Sequence, residues 1–174
     1  MNTTTADINF HELCEKLRSM KLSSMADTLE KQLANPNSGL QSFDERISEI
    51  ICSEWDTRYN KKFIRFLKKA TLKYPAADID ESIYDADRFL DTGTIERLAA
   101  CDWIDEGKNL LITGSTGSGK TYISNALCIS ALRLFHTVRY VKASTLIYEL
   151  EQAQVTGEYL NYTKKLAALD LLVI

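Results

Sequence analysis

The sequence predicts a small all-helical domain followed by an α/β part that is built around a parallel sheet. Apolar residues recur at helical spacing from the N-terminal region to about Lys73, which favours helices there. After Gly107 the order becomes strand, helix, strand, helix, strand, which is typical of parallel sheets. A glycine-rich turn separates the first of these strands from the helix that follows it.

The N-terminal region predicts three helices. In the first two, the apolar residues at helical spacing are Leu13, Leu17 and Met20, then Met25, Leu29 and Leu33. A turn signal at residues 35–39 ends the second helix. Ser42 and Glu45 fit a capping box that begins the third helix, which should stop before Tyr74 and Pro75. One apolar stripe of the third helix comprises Phe43, Ile47, Ile50, Ile51 and Trp55.

The C-terminal part predicts three buried strands and three helices. The strands are residues 109–113, 137–141 and 169–174. The helices run from the glycine-rich turn to about Phe135, from a cap at Ser144 to about Gly157, and from Glu158 to Ala168. We therefore predict a helical module over residues 1–77, an acidic linker and lead-in over 78–107, and a nucleotide-binding part over 108–174.

Charge is unevenly distributed along the chain. The net charge is −3, yet residues 57–77 hold seven basic and no acidic residues, and residues 78–107 hold ten acidic and two basic residues. Local charge is therefore a better guide to partners than the average. The four cysteines form no CxxC pair, and no apolar run approaches the roughly 18 residues of a membrane span. We expect a cytoplasmic protein with reduced thiols and no membrane partner.

A phosphate-binding loop is the most specific motif. It matches G-x-x-x-x-G-K-[ST] at every fixed position and comprises Gly114, Ser115, Thr116, Gly117, Ser118, Gly119, Lys120 and Thr121. Glycines bring backbone amides close to phosphate oxygens, and the helix start favours an anion. Lys120 should reach the β- and γ-phosphates of ATP and is the candidate catalytic residue, whereas the Thr121 hydroxyl should contact Mg²⁺.

A basic helix face precedes the linker. At about 100° per residue, one side of the helix carries six cations and the opposite side carries apolar residues. The cations are Arg58, Lys61, Lys62, Arg65, Lys68 and Lys69. A cationic face favours a polyanion, and non-sequence-specific contacts to the phosphates of double-stranded DNA fit best. An electrostatic clasp with the acidic residues 78–106 and an ordinary exposed surface are the alternatives.

ATP hydrolysis needs an acidic residue at the end of another buried strand to help hold Mg²⁺. Asp170 lies inside the last apolar run, with four apolar residues after it, so we expect it at the wrong end of the strand. No water-orienting acid, γ-phosphate sensor or arginine finger can be assigned. The residues present thus predict ATP binding with little or no hydrolysis, as in a chain cut at the third strand of its ATPase domain.

The combined motifs resemble a known family. The Arg/Lys-rich stretch ending in Tyr74-Pro75-Ala76-Ala77, the run Cys101-Asp102-Trp103-Ile104 and the phosphate loop are similar to those of IstB-like ATPases. These are transposition helper proteins of the AAA+ superfamily, close to DnaC-type helicase loaders. The resemblance implies an AAA+ type P-loop sheet, here only its N-terminal part, with ATP-driven homo-oligomerisation on double-stranded DNA. It also implies a transposase as the partner and an oligomerisation role for the helical module.

Three other functions stay open at this point. A DnaC-like helicase loader would share the same chemistry, and a non-hydrolysing, nucleotide-gated DNA-binding adaptor would need only the two binding sites. A small P-loop kinase that acts on a metabolite is disfavoured, because such an enzyme needs no polyanion-binding face.

Overall fold

The computed structural model of the protein describes residues 9–79 and 91–174. This part of the chain is mostly helical, with a small parallel sheet of two strands. In chain order, the elements are α1 (Phe10–Ser19), α2 (Ser23–Ala34), a 3₁₀ helix (Pro36–Leu40), α3 (Phe43–Ala70), α4 (Thr92–Ala99), α5 (Asp102–Asp105), α6 (Lys120–Arg133), β1 (Val138–Tyr140), α7 (Ala143–Val155), α8 (Tyr159–Ala167) and β2 (Leu171–Val173). The chain forms two compact units, Met1–Lys61 and Lys62–Ile174.

The first unit packs α1 and α2 against the first part of α3. Its buried residues are Cys14, Ala26, Leu29 and Ile50. The predicted capping box is confirmed: the Ser42 amide donates to the Glu45 carboxylate at 2.7 Å, and the Glu45 amide donates to the Ser42 hydroxyl. Helix α2 begins after Leu22, which has no polar side chain, and Glu54 of α3 supplies the cap by accepting from the Ser24 amide at 3.0 Å.

The second unit packs the remainder of α3 onto α6. Buried residues of α6 include Ala126, Cys128 and Ile129, and Phe63 and Leu67 of α3 pack against that cluster. The apolar side of the basic helix therefore docks on the helix that follows the phosphate loop. This pairing of one apolar stripe with another is the usual way in which an amphipathic helix is held.

Strands β1 and β2 pair in parallel, as predicted. The register matches Val138 with Leu171 and Tyr140 with Val173. The predicted strand 109–113 is wrong for the described residues, because it is not part of the sheet. Leu111 is 86% exposed, so the apolar run lacks the neighbouring strand and burial that would hold it in a ladder.

Two helix boundaries differ from the prediction. Helix α3 ends at Ala70 rather than Lys73, because Thr71 adopts a left-handed conformation with φ of 53° and donates its hydroxyl to the Tyr140 carbonyl at 2.7 Å. Helix α7 begins after Lys142, so Ser144 lies inside the helix and is not its cap. In the acidic region, helices α4 and α5 lie within residues 92–105, and residues 80–90 of the predicted linker lie outside the described part.

Candidate nucleotide and nucleic-acid sites

The phosphate loop occupies the turn that leads into α6. Gly117 and Gly119 have φ angles of 83° and 88°, a left-handed conformation that residues with a Cβ rarely adopt. Gly119 is the N-cap of α6, and Lys120 is the first residue of that 14-residue helix. The free amides and the positive end of the helix dipole thus lie at the loop, where an anion is stabilised.

Lys120 reaches back over the loop. Its Nζ donates to the Gly114 carbonyl at 2.9 Å and to the Ser115 carbonyl at 2.7 Å. The ammonium group is therefore held at the centre of the loop that its own helix follows. Thr121 is half-buried in the first turn of α6, next to this charge. An ammonium and a hydroxyl in adjacent positions fit the binding of a phosphate group and its metal ion.

A cavity of about 610 Å³ extends from Lys120 and Thr121. The residues that line it also include Trp103, Ile104, Asp170 and the three residues of β2. The Trp103 indole is held in place because its Nε1 donates to the Leu98 carbonyl at 2.9 Å. A cavity lined by both an ammonium group and an aromatic ring offers a contact to each half of a nucleotide, and the volume is that of an ordinary small-molecule site.

Asn125 anchors the start of α6 to the segment that follows α3. Its side chain is fully buried, its Nδ2 donates to the Thr121 carbonyl at 2.7 Å, and its Oδ1 accepts from the Tyr74 amide at 3.1 Å. Nearby, the Tyr122 hydroxyl accepts from the Asp78 amide at 3.2 Å. Asn125 was not among the residues predicted to matter, although its position three and four residues before Cys128 and Ile129 places it on the buried stripe of α6.

Asp170 has a structural role. Its Oδ2 accepts from both the Thr137 amide and the Thr137 hydroxyl, each at 2.7 Å. These hydrogen bonds hold the pKa of the Asp170 carboxyl below its usual range. The residue precedes β2, at the amino end of that strand. The carboxylate thus ties the starts of the two strands together, and its place at the amino end of the last strand is the one expected from the sequence.

The six predicted cations are all exposed but have different surroundings. In the first unit, Arg58 donates from Nε to the buried carboxylate of Glu54 at 2.8 Å and from its second amino group to the Lys21 carbonyl. Arg58 therefore supports the cap of α2, a role that was not predicted for it. The spacing of Glu54 and Arg58, four residues apart on one helix, was the signal.

In the second unit, two cations lie over aromatic rings. The Nζ of Lys62 is 3.7 Å from the ring centre of Phe135, and the guanidinium of Arg65 is 5.8 Å from that of Phe66. Such contacts order the side chains while leaving their charges near solvent. Lys68 and Lys69 lie in the last turn of α3, where a positive charge is favourable at the carboxyl end of a helix.

No group of three or more histidine, cysteine or acidic side chains within residues 9–79 and 91–174 is placed to hold a metal ion. Over the same residues, no helix is long and apolar enough to cross a lipid bilayer.

Comparison with known proteins decides the family. The family model described as IstB-like ATP binding protein matches residues 15–174. The chain belongs to this IstB-like family. An ATP-binding protein named for insertion sequence IS1162 of Pseudomonas fluorescens is 35% identical over 159 residues, which cover 91% of the chain and 69% of that protein.

Two further relatives of the IstB-like chain extend the comparison. The insertion sequence ATP-binding protein y4uH of Sinorhizobium fredii is 33% identical, over 94% of the chain and 66% of the relative. An IS21-like insertion sequence ATP-binding protein of Bacteroides fragilis is 26% identical, over 94% of the chain and 62% of the relative. The IstB-like chain thus spans about two thirds of the length of these relatives.

Proposed function

We propose that this IstB-like protein binds ATP with Mg²⁺, assembles with further copies of itself on double-stranded DNA, and assists a transposase in insertion-sequence transposition. Its nucleotide-binding part is proposed to be of the P-loop AAA+ type. The observation that carries the proposal is the placement of Lys120 at the centre of a glycine-shaped loop that begins a long helix. The names of the relatives, which join ATP binding to insertion sequences, support it.

ATP would bind with its phosphates on residues 114–121. The loop amides and the Lys120 ammonium would neutralise the β- and γ-phosphates, and the Thr121 hydroxyl would be a ligand of Mg²⁺. The base and ribose would lie toward the Trp103 side of the cavity, which supplies an aromatic wall. When bound, Mg²⁺ would offset the charge of the phosphate oxygens. The donors of the loop, an ammonium and a hydroxyl beside free amides, fit this ligand.

ATP hydrolysis is proposed for the whole protein rather than assigned to described residues. A Mg²⁺-binding carboxylate belongs at the carboxyl end of a buried strand. Asp170 lies at the amino end of β2 and is bound to Thr137. Within the described ranges, the residues therefore support ATP binding, with turnover as a separate question. If the protein binds ATP without hydrolysing it, it would act as an adaptor whose DNA binding is controlled by the nucleotide.

DNA would bind along the exposed cations of α3. Lys62, Arg65, Lys68 and Lys69 in the second unit and Arg58 and Lys61 in the first are the proposed phosphate contacts. These side chains would contact the phosphate backbone, so binding should depend on salt and not on base sequence. The cations of the second unit belong to a helix whose apolar side packs on α6, which leaves their charged side available.

Calorimetry tests the nucleotide site. ATP with Mg²⁺ should bind the native protein, and Lys120→Ala should weaken binding at least about 100-fold, since a charge-assisted phosphate contact is lost. Lys142→Ala, which removes an exposed lysine before α7, is the matched control and should bind ATP normally. Equal ATP affinity in Lys120→Ala and the native protein would refute the assignment of the loop.

A salt titration tests the DNA face. Replacing Lys68 and Lys69 with alanine should weaken binding to duplex DNA and lower the salt slope by about 2, close to one for each phosphate contact. The control replaces Lys164 and Lys165, two exposed lysines in the last turn of α8. If both double variants behave alike, α3 is not the DNA face. Co-purification separates the two candidate roles. A transposition helper should co-purify with the transposase of the same insertion sequence, whereas a helicase loader should co-purify with a replicative helicase.

A further inference from the structure

An apolar ridge runs along the first part of α3. Four residues at intervals of four form it. Their exposed fractions are 76% for Phe43, 38% for Ile47, 54% for Ile51 and 70% for Trp55. Residues at this spacing form one continuous row on a helix surface. The core of the first unit uses the neighbouring Ile50 instead. The ridge is therefore an exposed apolar patch outside the core, which is typical of a protein interaction site.

The ridge is complementary to the same ridge on a second, antiparallel copy of the chain. When a helix pairs with an antiparallel copy about a twofold axis, residues at equal distances from the axis face each other. An axis at Ile51 places the Trp55 of one protomer opposite the Ile47 of its partner, twice, with the two Ile51 side chains at the centre. A large side chain then meets a smaller one at each contact, so the rows can interdigitate.

Charges select the antiparallel arrangement. Asp44 and Arg58 both lie seven residues from Ile51, on opposite sides of it, and both are exposed. Antiparallel pairing therefore sets the carboxylate of one protomer opposite the guanidinium of its partner at each end of the contact. In the paired state Arg58 contacts the partner in place of DNA, and the phosphate contacts are left to the other five proposed cations of α3. Parallel pairing would set like charges against each other and cost stability. Arg58 is already ordered by Glu54 and the Lys21 carbonyl, so little side-chain freedom is lost on pairing.

We infer that the apolar ridge of α3 binds the same ridge of a second copy, as an antiparallel twofold pair centred on Ile51. The inference rests on the self-association proposed above and names its surface. A large aromatic side chain buries about 150–250 Å², so two aromatic and two aliphatic residues fall short of the roughly 800 Å² per partner of a standard interface. The pair should be weak alone and should gain from a larger assembly that holds several copies together.

Sedimentation velocity of the full chain tests the pair over about 5–200 μM. The average mass of the native protein should rise with concentration, whereas Ile51→Glu should stay monomeric, because a carboxylate would be buried at the axis. Ile64→Glu, on the same helix but off the ridge and 48% exposed before substitution, is the matched control and should associate normally. Asp44→Lys should weaken the pair, since two cations would then face each other.

Cross-linking locates the axis independently of stability. Ile51→Cys, in a Cys52→Ser background, should form an inter-chain disulfide under mild oxidation, because residues on a twofold axis meet their own copies. Asn60→Cys, at an exposed position of the same helix and in the same background, should cross-link far less. Equal association of the two glutamate variants, or no cross-link at position 51, would overturn the inference.

The same variants separate this inference from the proposed function. If ATP and duplex DNA assemble the native protein and Ile51→Glu to the same extent, the ridge is not the contact and the inference fails while the proposed function stands. If neither ligand assembles the native protein at any concentration tested, and the native protein alone is monomeric, then both the proposed self-association and the ridge pair are wrong.

Discussion

The side-chain amide of Asn125 joins the carbonyl of Thr121 to the backbone N–H of Tyr74, at 2.7 and 3.1 Å. One buried group thus connects the helix that carries the phosphate loop to the segment that follows the basic helix. The amide is satisfied on both sides, and within the described residues no buried side-chain polar atom lacks a partner. Its loss would leave the Tyr74 amide without its acceptor at a part-buried position.

Asn125→Ala should therefore destabilise the protein by about 2–4 kcal/mol, from an unsatisfied donor and a small cavity. Urea denaturation would measure this change in the free energy of unfolding. Ser130→Ala is the control on the same helix, since it removes only a 3.3 Å bond to the Ala126 carbonyl, and it should cost under about 1 kcal/mol. Equal losses in the two variants would show that Asn125 does not anchor the segment.

Arg58→Ala should lower stability as well as any DNA affinity. Glu54 is 8% exposed, and the hydrogen bond from Arg58 holds the pKa of its carboxyl below the usual range. Without Arg58 this carboxylate is left poorly paired, at a cost of about 1–3 kcal/mol. Lys61→Ala, one helical turn further along, should leave the unfolding free energy within about 0.5 kcal/mol. Thermal or urea unfolding of both variants makes the comparison, and equal stabilities would contradict it.

Asp170 should affect the acid limb of stability rather than nucleotide binding. Since its pKa is lowered on folding by the Thr137 amide and hydroxyl, its contribution is present above the unfolded pKa and is lost as the pH falls through the folded value. In Asp170→Asn, the free energy of unfolding should therefore fall less steeply than in the native protein as the pH is lowered below about 4, the ordinary pKa of aspartate. The affinity of Asp170→Asn for ATP in the presence of Mg²⁺ should change less than about threefold. A loss of affinity as large as that of Lys120→Ala would instead indicate that Asp170 is a metal ligand.

Nucleotide binding should change the emission of one of the two tryptophans. Trp103 lines the same cavity as Lys120, whereas Trp55 is 70% exposed in the first unit. Adding ATP with Mg²⁺ should shift or quench the fluorescence of the native protein and of Trp55→Phe. The signal should disappear in Trp103→Phe, while calorimetry shows that ATP still binds. If the fluorescence change were lost in Trp55→Phe and kept in Trp103→Phe, the nucleotide would bind away from Trp103.

Thiol reactivity should distinguish Cys52 from the other three cysteines. Cys52 is exposed, whereas Cys14, Cys101 and Cys128 are buried. Burial raises the pKa of the Cys101 thiol to about 11 and that of Cys128 to about 12, so their reactive thiolates are scarce near neutral pH. A chromogenic disulfide reagent should modify one thiol rapidly in the native protein and four after unfolding in guanidinium. Cys52→Ser should remove the fast phase, and a remaining fast thiol would contradict the assignment.

Local features were predictable because they depend on neighbours in the chain. Ser42 and Glu45 lie three residues apart, and that spacing alone predicts their reciprocal bonds. The loop from Gly114 to Thr121 was recognisable for the same reason, since conformation and charge are set within eight residues. The strand at residues 109–113 was not, because a strand forms only where another strand supplies its hydrogen bonds.

The sequence by itself determined the glycine-rich turn that leads into α6, most helices and the charge of the basic face, since each depends on residue type at short spacing. Tertiary structure alone decided the roles of single polar groups. Arg58 faces a buried Glu54, Asp170 binds Thr137, and Asn125 reaches Tyr74. Each partner is known only after packing has placed distant backbone beside the side chain. The same packing left the ridge around Ile51 outside the core, and so made it available to another copy.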